Sequence, residues 1–134
     1  MPGPFIDLHC HILPGYDDGA ADMDTALRML RMAQADGVKT VVATPHFIPG
    51  SNVYPTDKAL TCFEQLSECV RAENINVELR LGQELLLEES VLPYLNSGRC
   101  LPLAGTRHVL VEFPMATADW ASAIEWVLEL LRLG

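Results

Sequence analysis

The chain has 134 residues and a mass of 14.8 kDa, enough for one domain and too short for a complete α/β barrel of roughly 250 residues. Nine Lys and Arg stand against eighteen Asp and Glu, a formal charge of −9, which excludes a phosphate-neutralising nucleic-acid surface and a polybasic membrane contact. At 49% apolar and 20% charged residues the composition is that of a folded chain, with no apolar run near the roughly 20 residues that span a bilayer. Met1-Pro-Gly-Pro4 has neither a basic nor an apolar signal region, so no secretory leader is expected. Cys10, Cys62, Cys69 and Cys100 form no C-x-x-C pair and are read as reduced thiols of a cytoplasmic protein. Cys62 and Cys69 lie seven apart on a predicted helix and share a packing face.

Short strand-like runs alternate with helical ones. Phe5 to His11 reads as a strand with Ile6, Leu8 and Cys10 on one face. Asp24 to Asp36 reads as a helix, since Met23, Leu27, Leu30 and Ala33 follow the 3.6-residue period and Gly37 stands at the stop. Lys39 to Thr44 is rich in β-branched residues and reads as a buried strand. Phe47 to Pro55 is a loop bordering the strand ends. Thr56 is the expected cap of a second helix with Ala59, Phe63, Leu66 and Val70 inward. A strand at Val77 to Leu81, a short helix at Glu88 to Asn96 and a strand at His108 to Phe113 follow. The last helix, Asp119 to Leu133, is expected to turn Trp120, Ile124, Val127, Leu128 and Leu131 inward. The order β-α-β-α-β-α-β-α implies an α/β fold of about four βα units on one parallel sheet.

Each strand ends on a potential metal ligand: His9-Cys-His11, Thr44-Pro-His46, Gly82-Gln-Glu84 and Val111-Glu112. Sites in parallel α/β folds form at that edge. His9 and His11 sit at i and i+2 of a strand, so both imidazoles point one way and reach one ion; Asp7 shares that side. The turn Leu13-Pro-Gly-Tyr-Asp-Asp-Gly19 adds Asp17 and Asp18 beside the pair. Imidazole nitrogen with carboxylate oxygen suits Mn, Fe or Zn. Several carboxylates favour a cluster, and two-metal hydrolysis uses such a cluster to generate hydroxide and stabilise a leaving oxygen. Competing chemistries fail on spacing. A cysteine phosphatase loop needs Cys-x5-Arg, but Tyr16 follows Cys10 at that distance and Thr106 follows Cys100, with Arg107 one place late. There is no Walker A loop, no G-x-G-x-x-G and no G-x-S-x-G. His108 begins a strand and is read as structural.

The blocks Phe5-Ile-Asp-Leu-His-Cys-His-Ile-Leu-Pro-Gly-Tyr-Asp-Asp-Gly19, Ala43-Thr-Pro-His46, Gly82-Gln-Glu84 and Val111-Glu-Phe113 resemble, in order along the chain, the bacterial manganese-dependent protein-tyrosine phosphatases of the PHP superfamily. The resemblance implies a distorted (β/α)7 barrel with a trinuclear metal site, of which residues 1–134 would be the N-terminal portion. It implies that His9 and His11 bind one ion, that Glu84 bridges it to a second also held by Glu112, and that Asp18 and His46 bind the third, with Asp17 set aside. The metal is expected to be a divalent cluster of Mn, with Fe or Zn as alternatives. The implied substrate is a phosphotyrosine protein, a bacterial tyrosine kinase of capsule or exopolysaccharide synthesis. Another PHP phosphoesterase acting on histidinol phosphate, or an inactive metal-binding remnant, are the alternatives. The later ligand strands of that family, with His-x-Glu-Arg and Asp-x-His motifs, have no counterpart in these residues. Four βα units leave open sheet edges, and the last helix is apolar on more than one face. The expectation is therefore either a longer parent chain or a homo-oligomer in which a second copy covers the edges.

Overall fold

The computed structural model describes residues 4–114 and 120–133. Among the described residues six strands and four helices follow in the order β1 (Phe5–Cys10), α1 (Met23–Ala35), β2 (Val38–Ala43), β3 (His46–Phe47), α2 (Thr56–Ala72), β4 (Glu78–Leu81), β5 (Glu84–Leu86), α3 (Val91–Asn96), β6 (Leu110–Glu112) and α4 (Trp120–Leu133). One 3-10 turn, Leu103–Gly105, precedes β6. The expected start of the last helix at Asp119 lies outside the described residues.

The expected single sheet is in fact two parallel three-stranded sheets, ordered β1-β2-β4 and β3-β5-β6. The correction has a local cause. The run expected to end at Thr44 continues past Pro45, which has no N–H to donate, and resumes as β3. The next run breaks at Gly82-Gln83 at the same level and resumes as β5. Gly82 N–H donates to Ala43 carbonyl at 2.8 Å and Glu84 N–H to Pro45 carbonyl at 3.0 Å, so pairing carries across both breaks. The two sheets therefore continue one another as a bent parallel surface. No sheet closes among the described residues.

Two cores follow from this division. Ile12, Leu13, Leu27, Leu30, Val41, Leu66 and Val70 bury α1 and α2 against the first sheet. Phe47, Leu85, Leu87, Val91, Cys100 and Ala123 form the second, under α3 and α4. Asp22 caps α1, its carboxylate accepting the Thr25 N–H at 2.8 Å, and Gly37 follows the helix at φ 88°. Thr56 is not a cap. It is the first residue of α2, after Pro55, and its hydroxyl donates to Arg99 carbonyl at 2.9 Å and meets Gln83.

The orientation of α4 is also corrected. Ala123, Trp126, Val127 and Leu130 pack on the second core, whereas Trp120, Ile124, Leu128 and Leu131 are exposed. Both faces are apolar, and the expected stripe, Val127 apart, is the one left uncovered. The helix-side face of β1 is open in the same way, with Ile6 and Leu8 exposed. No described helix is long and apolar enough to cross a membrane.

Candidate metal centre

Strand geometry delivers the donors. β1 alternates, so His9 and His11 project to one side, their Nε2 atoms 3.1 Å apart. His46 and Glu84 are register partners at the starts of β3 and β5, and Glu112 ends β6 opposite Leu86. The breaks at Pro45 and at Gly82-Gln83 are what re-aim His46 and Glu84 at the strand ends.

Glu84 is the hub. Only 7% of the residue is exposed, and its carboxylate faces three imidazoles: Oε1 is 3.2 Å from His9 Nε2, and Oε2 is 3.1 Å from His11 Nε2 and 3.2 Å from His46 Nδ1. Glu112 approaches His46 Nδ1 at 3.4 Å, and Asp18 approaches His46 Nε2 at 3.3 Å and His11 Nδ1 at 3.6 Å. Three overlapping groups emerge, each with one donor atom per residue within 4.8 Å: His9, His11 and Glu84; His46, Glu84 and Glu112; His11, Asp17, Asp18 and His46. All six residues singled out in the sequence lie together here. His108 lies apart, exposed and bonded to Thr106.

The side chain of Asp17, set aside in the sequence, is wholly buried within this centre. Its Oδ2 accepts His11 Nδ1–H at 2.9 Å and the His46 amide at 3.0 Å, and its Oδ1 accepts the Gly19 amide at 3.2 Å. With Nδ1–H donated to that carboxylate, His11 Nε2 keeps its lone pair and faces Glu84 Oε2 at 3.1 Å, two acceptors that a cation between them would satisfy, the usual carboxylate–histidine orienting pair. The available signal was the Asp-Asp-Gly turn, where one carboxylate caps the turn and the other remains free. Gly19 lets the turn close, because a Cβ there would stand 1.8 Å from His11 carbonyl, which accepts the Ala20 amide at 2.9 Å. Behind the site, fully buried Gln83 accepts the Leu101 amide at 2.8 Å and donates to Thr56 Oγ1 at 3.2 Å, holding the break beside Glu84. Tyr54 packs its ring between those of His46 and Tyr16, with centroids at 5.7 and 5.8 Å.

The donor set fits divalent cations. Close imidazole nitrogens turned onto a shared buried carboxylate are what a cation would organise, and every donor is a hard or borderline nitrogen or oxygen. No cysteine joins these groups among the described residues. Burial, then the carboxylates of Asp7 and Asp17, pushes the Cys10 thiol up to about 11, so it stays protonated and is a poor nucleophile. Burial and Asp17 likewise raise the Tyr16 phenol.

A family model for capsular polysaccharide synthesis proteins of the CpsB/CapC type matches residues 5–133. The chain is 38% identical over 111 residues to the tyrosine-protein phosphatase YwqE of Bacillus subtilis, covering 81% of this chain and 43% of that protein. It is 28% identical over 113 residues to the tyrosine-protein phosphatase CpsB of Streptococcus pneumoniae, covering 84% and 46%. A solved chain from the structures of those two proteins, described as unique metal-dependent tyrosine phosphatases, superimposes with TM-score 0.81 at 32% identity over 93% of this chain and 52% of its own. The chain spans about half the length of the curated relatives it matches.

Proposed function

The chain belongs to the CpsB/CapC capsular polysaccharide synthesis family, and from that premise we propose that it carries the N-terminal ligand set of a metal-dependent tyrosine phosphatase. The observation that carries the reading is the Glu84 hub, one buried carboxylate facing three imidazoles at the ends of a parallel sheet. Its relatives are named tyrosine-protein phosphatases. The 134 residues form the N-terminal portion of a single PHP-type barrel domain, in the cytoplasm, acting on a phosphotyrosine protein such as a capsule-associated tyrosine kinase. The ions are divalent, with manganese the first choice.

His9, His11 and Glu84 would hold one ion, Glu84 and Glu112 a second beside His46 Nδ1, and Asp18 with His46 Nε2 a third. Bound ions supply Lewis-acid polarisation of the phosphoryl oxygens and neutralise charge on the leaving phenolate. The protein's own part is positional. Asp17 fixes the His11 ring and ties it to the His46 backbone. Glu84 stays buried while His9, Asp18 and Glu112 face outward, with side chains 48%, 74% and 46% exposed, so substrate enters over these three. The Ile48–Pro55 loop borders this entrance, held by the Gly50 amide on Tyr94 Oη at 2.9 Å and by Tyr16 Oη on Pro55 carbonyl at 3.1 Å.

The test is phosphate release from a phosphotyrosine peptide by the manganese-supplemented chain beside a Glu84→Ala control, with bound metal measured in both. Turnover on the peptide and metal binding, both lost in the variant, are expected. Turnover on histidinol phosphate alone would move the chain to another phosphoesterase activity, and metal binding without turnover would make it a non-catalytic metal protein.

A further inference from the structure

The χ2 torsion that turns a histidine ring is broad and two-fold, so a ligating imidazole needs an outside partner to set its plane. For His11 that partner is the buried Asp17 carboxylate, which accepts its Nδ1–H at 2.9 Å. His46 has no partner of that kind. Among the described residues its ring nitrogens face only candidate ligands: Nδ1 lies 3.2 Å from Glu84 Oε2 and 3.4 Å from Glu112 Oε2, and Nε2 lies 3.3 Å from Asp18 Oδ1. The side chains of Glu112 and Asp18 are 46% and 74% exposed, so they are weak supports for a ring.

The other groups against the His46 ring are aromatic. The His11 ring stands 4.5 Å away between centroids, tilted by 55°, and the Tyr54 ring 5.7 Å away, tilted by 35°. Both lie in the range where ring pairs are sensitive to orientation. Tyr54 comes from outside the strand ends, on the loop that borders the entrance. Its own place is secured by Tyr16. The two tyrosine rings are 5.8 Å apart, and Tyr16 Oη donates to the carbonyl of Pro55, the residue after Tyr54, at 3.1 Å. Tyr16 is buried in the first core, so the anchor is rooted there.

A half-turn of the His46 ring would put carbon atoms where Nδ1 and Nε2 now stand. The loss falls unequally on the two sides. Glu84 and Glu112 remain for an ion on the Nδ1 side. Of the His46 and Asp18 pair on the Nε2 side, only Asp18 remains. The geometry points to Tyr54 as a positioning residue: its ring, carried on the entrance loop, holds His46 in the orientation that serves the outermost ion. The inference rests on the proposed metal centre and adds to it a residue that is not a ligand. It makes the loop at the entrance also the support of the outermost ion, so that displacing the one loosens the other.

The experiment measures manganese bound per chain, by titration and by elemental analysis after gel filtration. It compares the wild type with Tyr54→Phe, Tyr54→Leu and Tyr16→Phe, with far-ultraviolet circular dichroism and the urea midpoint recorded for each. Phe at 54 keeps the ring, and Leu keeps apolar bulk without a ring at this half-buried loop position. Tyr16→Phe keeps both rings and removes only the hydrogen bond to Pro55. Wild-type binding is expected in Tyr54→Phe. In Tyr54→Leu the weakest-bound ion is expected to be held roughly tenfold or more less tightly, with the tighter ions unchanged. Tyr16→Phe is expected to weaken that same ion by a smaller factor. Binding in Tyr54→Leu equal to wild type overturns the inference and leaves the metal centre standing. A uniform weakening of every ion overturns it as well, because general loss of packing would give that result. Weak binding in Tyr54→Phe would assign the effect to the hydroxyl and overturn the role of the ring. If Tyr54→Leu does not fold, Tyr16→Phe decides, and unchanged binding there overturns the inference. A wild type that holds a single ion lacks the outermost site and overturns the inference alone. A wild type that binds no more manganese than Glu84→Ala overturns the proposed metal centre and this inference together.

Discussion

Glu84 and Asp17 are both buried carboxylates in contact with histidine, yet they do different work. Glu84 has all its partners among imidazole nitrogens, which is the arrangement a cation can occupy. Asp17 already accepts three hydrogen bonds, from one imidazole and two backbone amides, so most of its acceptor capacity is spent on holding the turn and the His11 ring. Asp17→Ala should therefore lower metal affinity by roughly 10- to 100-fold without removing a direct ligand, as measured by manganese titration. An unchanged affinity would show that the His11 ring needs no such partner. His9, His11, His46, Glu84 and Glu112 were legible because strand periodicity and position at a strand end depend on local sequence alone. Asp17 was not, since choosing between adjacent aspartates depends on how the turn folds back on His11.

At the level of elements, the helices and the lower strands could be read from periodicity, and the paired breaks could not. A proline and a glycine within strand-like runs are visible, but only pairing shows that both fall at one level and divide the sheet. The inward face of α4 was misread because two faces compete in apolarity, and the surface it meets is set by β5, β6 and α3. The loop between β1 and α1 depends most tightly on one residue. Gly19→Ala would drive a methyl group into His11 carbonyl, and the backbone there must move. A loss of about 1–3 kcal/mol in urea denaturation is expected, with weakened metal binding because Asp17 and Asp18 ride on the same turn. Full stability in this variant would show that the turn has an alternative closure.

For the whole molecule, the buried thiols give a pH response whose sign is set. Cys10 and Cys100 are both raised by burial from an ordinary value of 9.0 to about 11. Between those limits the unfolded chain has lost the two protons and the folded chain keeps them, so the native state binds more protons and stability falls as pH rises. The urea midpoint should therefore be lower at pH 10.5 than at pH 8, and replacing Cys100 by Ser should reduce the drop. A midpoint equal at the two pH values would mean that the thiols ionise freely in the folded state.

The centre draws donors from the ends of β1, β3, β5 and β6 and from the turn before α1, so no single βα unit contains it. Its ligands are far apart in the unfolded chain and meet only when both sheets are in register. Occupancy and folding are then one linked equilibrium. Free ion at 100 times its dissociation constant would add about 2.7 kcal/mol to the native state, and a chelator would withdraw it. A gain of that size is a large share of the 5–15 kcal/mol that holds a typical domain together. The ions would thus act as the last structural element to be added, fastening the end of β1 and the turn before α1 to the ends of β3, β5 and β6.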